Sequence, residues 1–210
     1  MGRVIRWLFF LVIILGLVGA IGYLFVRGRG FSARAEPGRI ETTVARAIRR
    51  QAIPVQARDR RSPLAPTADT VRGGLDHFAD HCAICHGNDG SGDTEIGRAM
   101  YPKVPDMRRP DTQSLTDGEL FYIIENGVPL TGMPAWGTGT PDGEMETWHL
   151  VHFIRHLPQV TEAELDEMKK LNPKTEDEWR EEEKMQRFLE GGDVPAPKPS
   201  TPAHKHGGQK

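Results

Sequence analysis

Cysteine is nearly missing from this chain: two among 210 residues. A structural zinc site of the finger kind needs a second pair of Cys or His ligands at suitable spacing, and none follows. A disulfide between the two cysteines would close a very short, strained loop. No internal repeat is visible. Equally lacking are paired carboxylates in a recognisable cleft, a nucleophile elbow and a glycine-rich phosphate loop, so no catalytic constellation can be assembled. The formal net charge is −2 and decides nothing about partners.

What the chain does have is those two cysteines in one place. Cys82-Ala83-Ile84-Cys85-His86 sets them three residues apart with a histidine directly after the second. A Cys-x-x-Cys pair also occurs in thioredoxin-like redox sites, but those want a βαβ setting. Here the flanks read as helix followed by a glycine-rich loop. Cys-x-x-Cys-His instead reads as covalent attachment of a c-type haem. Two thiols about one helical turn apart can each add to a haem vinyl group, and the next residue then offers its imidazole to the iron as proximal ligand. One haem is expected.

The N-terminus carries the other strong signal. Residues 7–26 form an uncharged, almost wholly apolar run of 20 residues, long enough to cross a bilayer as a helix. Arg3 and Arg6 precede it and Arg27, Arg29 and Arg34 follow, so flanking charge leaves the orientation open. The haem motif orients it independently, because c-type haem is attached outside the cytoplasmic membrane. The expectation is a single-pass anchor in the cytoplasmic membrane, with residues 1–6 in the cytoplasm and the haem domain on the periplasmic side. A cleaved signal peptide is the alternative. Ala33-Arg34-Ala35 is an A-x-A match, but it lies well past the apolar run, which is longer than a signal-peptide core.

Charge is unevenly spread. Residues 27–61 hold ten arginines against Glu36, Glu41 and Asp59, whereas residues 161–190 hold eleven acids against six Lys or Arg. The basic stretch reads either as a juxtamembrane segment meeting lipid headgroups or as a solvated linker. It lacks interleaved aromatics and lies outside the cell, so nucleic acid is not an expected partner. The organisation expected is a cytoplasmic N-terminus (1–6), an anchor (7–26), a basic Pro/Arg-rich linker (27–68), a haem domain (69–160), an acidic helical extension (161–190) and a disordered tail (191–210). His204 and His206 in that tail offer at most a weak metal site.

Within the domain, apolar spacing predicts helices over 71–85, 117–126 and about 143–157. The second has Thr116 as N-cap, Glu119 completing a capping box and Gly127 just past its end. The third carries Met145, Trp148, Val151, Ile154 and Leu157 and stops at Pro158. A short helix over 42–52 and one capped by Thr161, with Glu164 three residues on, flank the domain. The segments 87–113 and 127–142 are long and rich in Gly and Pro. So little regular core is expected only if a cofactor replaces part of it.

From Asp69 to Pro158 the chain resembles a class I cytochrome c. Gly74 and Phe78 stand eight and four residues before Cys82, the family's positions where the first helix packs on the last, and Trp148 is the matching aromatic. The resemblance implies an all-α class I cytochrome c fold, three or more helices and long loops around one covalent haem, here preceded by a transmembrane helix and followed by a charged helical extension. Thr131-Gly-Met-Pro-Ala-Trp136 resembles the family's distal loop, which makes Met133 the sixth iron ligand beside His86, with Met100 and Met107 as competitors. Pro105-Asp106-Met107 is similar to a stretch whose proline carbonyl accepts the proximal histidine's Nδ1–H and whose third residue packs on the haem. Pro105 and Met107 are therefore haem-pocket residues, with Pro102 the alternative to Pro105. His77 and His81 sit on the proximal helix, badly placed to reach the other haem face. His149, His152 and His156 are expected to pack or be solvated.

A His/Met iron has no open coordination position. The expected role is thus one-electron transfer rather than catalysis on a small-molecule substrate. The carrier would link a quinol-oxidising complex or a dehydrogenase to a terminal oxidase. A fixed haem subunit of a larger membrane oxidoreductase is the alternative. A peroxidase would need Met133 labile or absent. Residues 161–190 discriminate: an exposed apolar stripe argues for a permanent partner, and folding back on the haem domain for a self-contained carrier.

Overall fold

The computed structural model describes residues 2–30, 32–174 and 176–190. The expected tail and its histidines lie outside them. The described residues are helical or irregular, with no strand, as the all-α expectation requires. The chain divides into two compact units, Met1–Asn172 and Pro173–Lys210.

In the first unit, α1 (Gly2–Arg29) is a single apolar helix, none of it buried against protein. It is long and apolar enough to cross a membrane. The amphipathic α2 (Arg39–Ala52) follows, then the short α3 (Val55–Arg58). Part of the stretch read from its prolines and arginines as linker is thus folded onto the helical domain. α3 lies so close to α8 (Asp117–Asn126) that a Cβ on Gly118 would fall 2.0 Å from the Ala57 carbonyl. Thr116 Oγ1 donates to the Arg58 carbonyl at 2.9 Å.

The core is the crossing of α4 (Ala68–His77) and α9 (Pro141–His156). Gly74 makes it possible: a Cβ there would stand 2.1 Å from the His149 carbonyl and 2.7 Å from Phe153 Cβ. The aromatic that meets Phe78 is Phe153, at 5.1 Å between ring centroids, both fully buried. Trp148 faces the other way and stacks on Phe121 of α8 at 4.4 Å. α9 is therefore buried on two sides. A single apolar stripe did not anticipate that, and Phe153 lies off the stripe counted.

The helix expected over 71–85 is interrupted. α4 ends at His77, residues Phe78–Cys82 form a π-helical turn in which the Ala83 amide bonds the Phe78 carbonyl, and α5 (Ala83–His86) completes the run. One extra residue in the turn rotates everything after it by about 100° relative to an unbroken helix. The sequence spacing of Leu75, Phe78, Ala79 and Cys82 gives no sign of this, because these positions fit an unbroken helix equally well.

α8 has the predicted range and capping box, with Thr116 N–H donating to Glu119 Oε2 at 2.8 Å and Glu119 N–H to Thr116 Oγ1 at 3.1 Å. The Thr161–Glu164 box likewise opens α10 (Glu162–Leu171). α10 packs back on the domain: Met168 is buried, Leu165 touches the core, Glu167 pairs with Arg72, and Asn172 Nδ2 donates to the Ala79 carbonyl at 2.8 Å. Two short helices that the sequence did not announce, α6 (Glu95–Ala99) and α7 (Pro110–Gln113), punctuate the loop between α5 and α8. In the second unit α11 (Glu176–Leu189) exposes Trp179, Met185, Phe188 and Leu189. The acidic extension thus divides: its first helix folds back and its second carries exposed apolar side chains.

Candidate haem site

Cys82 ends the π-helical turn, Cys85 and His86 lie on α5, and both thiols are free. Burial, with Cys85 a lesser contributor, pushes the Cys82 thiol up to about 12, and burial also raises that of Cys85. Both are thiols at neutral pH, opposite to the lowered values of a thioredoxin-like redox pair. Burial pushes His86 down to about 4, so its imidazole is neutral and has a free lone pair. The ring lies 6.3 Å from that of Phe78. Its Nδ1 is buried and has no hydrogen-bond partner.

The segment after His86 is folded over the motif by glycines with positive φ at 87, 90 and 92. Gly92 N–H bonds the His86 carbonyl at 2.7 Å and Thr94 Oγ1 the Cys85 carbonyl at 3.1 Å. Met107 N–H returns to the Gly90 carbonyl at 2.8 Å. Met107 is buried in the core, whereas Pro105 is exposed, and no hydrogen bond joins it to His86 Nδ1. The Val104 and Pro105 carbonyls instead crowd Gly92, where a Cβ would lie 2.5 and 3.2 Å from them. Arg108 clamps the stretch, reaching Asp106 at 2.8 Å and Asp89 at 3.0 Å. Its hydrogen bond holds the Asp106 carboxyl below the usual carboxylate range. Gln113 Nε2 donates to the carbonyls of Met107 and Ile154, both at 2.8 Å. Neither Arg108 nor Gln113 was singled out from the sequence. Asp106-x-Arg108 offered a faint local signal, and Gln113 none.

Met133 sits on the turn between α8 and α9, half-buried against the core. Val128 N–H bonds its carbonyl at 3.1 Å, and its own N–H bonds Thr131 Oγ1 at 3.1 Å. Gly127 has φ +66, and a Cβ there would lie 2.6 Å from the Pro134 carbonyl carbon, so the loop closes only over glycine. Trp136 reaches the edge of the His81 ring at 5.7 Å, which brings this loop against the helix bearing the cysteines. Met100 lies beside the loop, its Sδ 2.8 Å from where a Gly132 Cβ would be. The remaining histidines of α9 are engaged elsewhere: His149 Nδ1 with the Thr70 carbonyl (2.9 Å), His152 Nε2 with Ser62 Oγ (2.9 Å) and His156 Nε2 with Glu164 (2.8 Å).

These residues fit a haem. Among the described residues no three His, Cys, Asp or Glu converge to cage a bare ion. The donors present, a neutral buried imidazole after two protonated thiols, and the Met133 thioether on the turn between α8 and α9, suit an iron already held in a macrocycle.

Residues 69–154 match the family described as "Cytochrome C oxidase, cbb3-type, subunit III". The match covers less than half of the chain and defines that region as a c-type cytochrome domain, a haem-bearing electron-transfer module. Among curated proteins none matches. Among solved structures, a chain of the Kuenenia stuttgartiensis reducing HAO-like protein complex is similar at 23% identity and a TM-score of 0.40, over 46% of this chain and 47% of that one. The matched part is under half the length of that chain.

Proposed function

We propose that this protein is a membrane-anchored one-electron carrier, with one haem c bound covalently through Cys82 and Cys85 and its iron held between His86 and Met133. The observation that carries this reading is the buried, neutral His86 directly after two free, protonated thiols. Bound there, the haem would supply an Fe(III)/Fe(II) couple. The chain's own residues do the rest. His86 and Met133 would hold the iron and leave it no free position for a substrate, and a thioether donor would favour the ferrous state. Phe78 and Met107 keep the pocket apolar, and the hydrogen bonds at the Cys85 and His86 carbonyls hold α5 still, so little rearranges as the charge changes. α1 holds the domain at the cytoplasmic membrane, with its haem side in the periplasm, between a quinol-oxidising complex or dehydrogenase and a terminal oxidase.

A second reading, a fixed haem subunit of a larger membrane oxidoreductase, draws on the oxidase subunit named in the matched family and on the exposed apolar side chains of α11. Full-length protein matured with the c-type haem machinery tests the first. One haem per chain that survives a denaturing gel, a one-electron redox titration and no carbon monoxide binding are expected. Haem lost on denaturation would overturn the covalent assignment. Immediate carbon monoxide binding would overturn the axial one. Co-purification in a fixed stoichiometric complex would favour the second reading.

A further inference from the structure

α2 meets the haem domain with one face and presents the opposite face to nothing. Thr42, Arg46, Arg49 and Ile53 recur at helical spacing and form the inner face. Thr42 and Arg49 are half-buried, Arg46 pairs with Asp111 at 2.5 Å, and Ile53 is buried. Tyr101 fastens one edge by a hydrogen bond to Glu41. The outer face is Ile40, Val44 and Ile48, each four residues from the last and 82, 51 and 62% exposed, with Ala47 and Gln51 between them. A globular protein normally lays its amphipathic helices the other way round, apolar side in. Here the polar and basic side is spent on the domain.

We infer that the outer face of α2 lies in the interface of the bilayer that α1 crosses, with Ile40, Val44 and Ile48 below the headgroups. Three observations point to lipid rather than to another protein. Only residues 30–38 separate α1 from α2, and nine residues span at most about 30 Å, so α2 cannot leave the neighbourhood of the membrane surface. Arg39 and Arg50 are exposed on the flank of the helix between Arg46 of the inner face and Ile40 of the outer one, from where their long side chains can reach anionic phosphates. Arg27 and Arg34 supply further positive charge in the same short stretch. The consequence is a haem domain that rides on the bilayer at a fixed face instead of swinging on a long tether, with its freedom reduced to rotation and diffusion in the plane.

The inference rests on α1 being an anchor, and the test separates the two. Full-length haem protein carrying one substitution, Leu15→Cys, Val44→Cys, Ile48→Cys or Ala65→Cys, is labelled with a nitroxide and reconstituted in vesicles of phosphatidylcholine and phosphatidylglycerol. Relaxation of the label by oxygen, which concentrates in hydrocarbon, is compared with relaxation by a water-soluble nickel chelate. At positions 44 and 48 oxygen should exceed nickel several-fold, as at 15, and the order should reverse at 65. Nickel dominating at 44 and 48 while position 15 remains in lipid would overturn the proposal and leave the anchor standing. Nickel dominating at 15 as well would overturn both. Exclusion of both reagents at 44 and 48 would mean a protein contact, from a second copy of the chain, and would also overturn it.

Discussion

The two sides of the proposed iron site are built from different materials. On the proximal side His86 terminates a run of helix whose other end is locked in the α4–α9 crossing, and the carbonyls of Cys85 and His86 are both taken by the loop that follows. On the distal side Met133 rides on a turn held mainly by its own hydrogen bonds and by Gly127. Its neighbour Leu130 is 99% exposed with φ +61. Position on the proximal side comes from side-chain packing, which is costly to disturb. On the distal side it comes from local turns, which open at low free-energy cost. With the proposed ligands, a carrier built this way would keep its haem wherever the core is folded and would lose the methionine first.

The largest effect should come from attacking the proximal anchor. Replacing Cys82 and Cys85 together by serine removes both covalent bonds proposed for the haem. Haem staining of a denaturing gel should fall to background, and a retained band would refute the attachment. Next in size, Gly74→Ala forces a methyl group against the His149 carbonyl and should cost about 3 kcal/mol of stability, read as a shift in the denaturant midpoint. No change would mean that the crossing is looser than described.

A smaller effect belongs to the Arg108 clamp in the loop that follows α5. Asp106 is held below the usual carboxylate range by its hydrogen bond from Arg108. A depressed folded value means stability that is complete above the ordinary pKa of about 4 and lost as pH falls through the lower folded one. Denaturation curves between neutral pH and strong acid should therefore show a component that Asp106→Asn removes, and identical curves for the two proteins would contradict it. Least of all, Leu130→Asn relieves a positive φ on an exposed branched residue and should raise stability by about 0.5 kcal/mol. A measured loss would show that Leu130 has a contact of its own.

The same division explains what could be read from the sequence. Features written within one turn of chain were legible: the Thr116–Glu119 and Thr161–Glu164 capping boxes, the end of α9 within one residue of the expected Leu157, and the spacing of Cys82, Cys85 and His86. Gly74 could be placed at a crossing through the resemblance to a class I cytochrome c, and the close approach of the two backbones explains why that position takes glycine. Features that join distant segments were not. Phe153 as the partner of Phe78, Gln113 bridging Met107 to Ile154 and Arg108 between Asp89 and Asp106 each depend on a fold already formed. The π-helical turn before Cys82 inserts a residue without altering the apolar pattern. α2 was legible in part: a short helix over 42–52 was expected, but nothing local announced that Arg46 would be set against Asp111 with the isoleucines and the valine turned outward.

The near-infrared spectrum of the oxidised protein tests the account most directly, taken for the unsubstituted chain, Met133→Ala and Met100→Ala. A sulfur-to-iron charge-transfer band should be present in the first, absent from Met133→Ala and retained in Met100→Ala, with the covalent haem unchanged in all three. A band that survives Met133→Ala and disappears in Met100→Ala would move the distal ligand to the thioether beside Gly132, and the contrast between a packed proximal side and a turn-held distal side would fail with it.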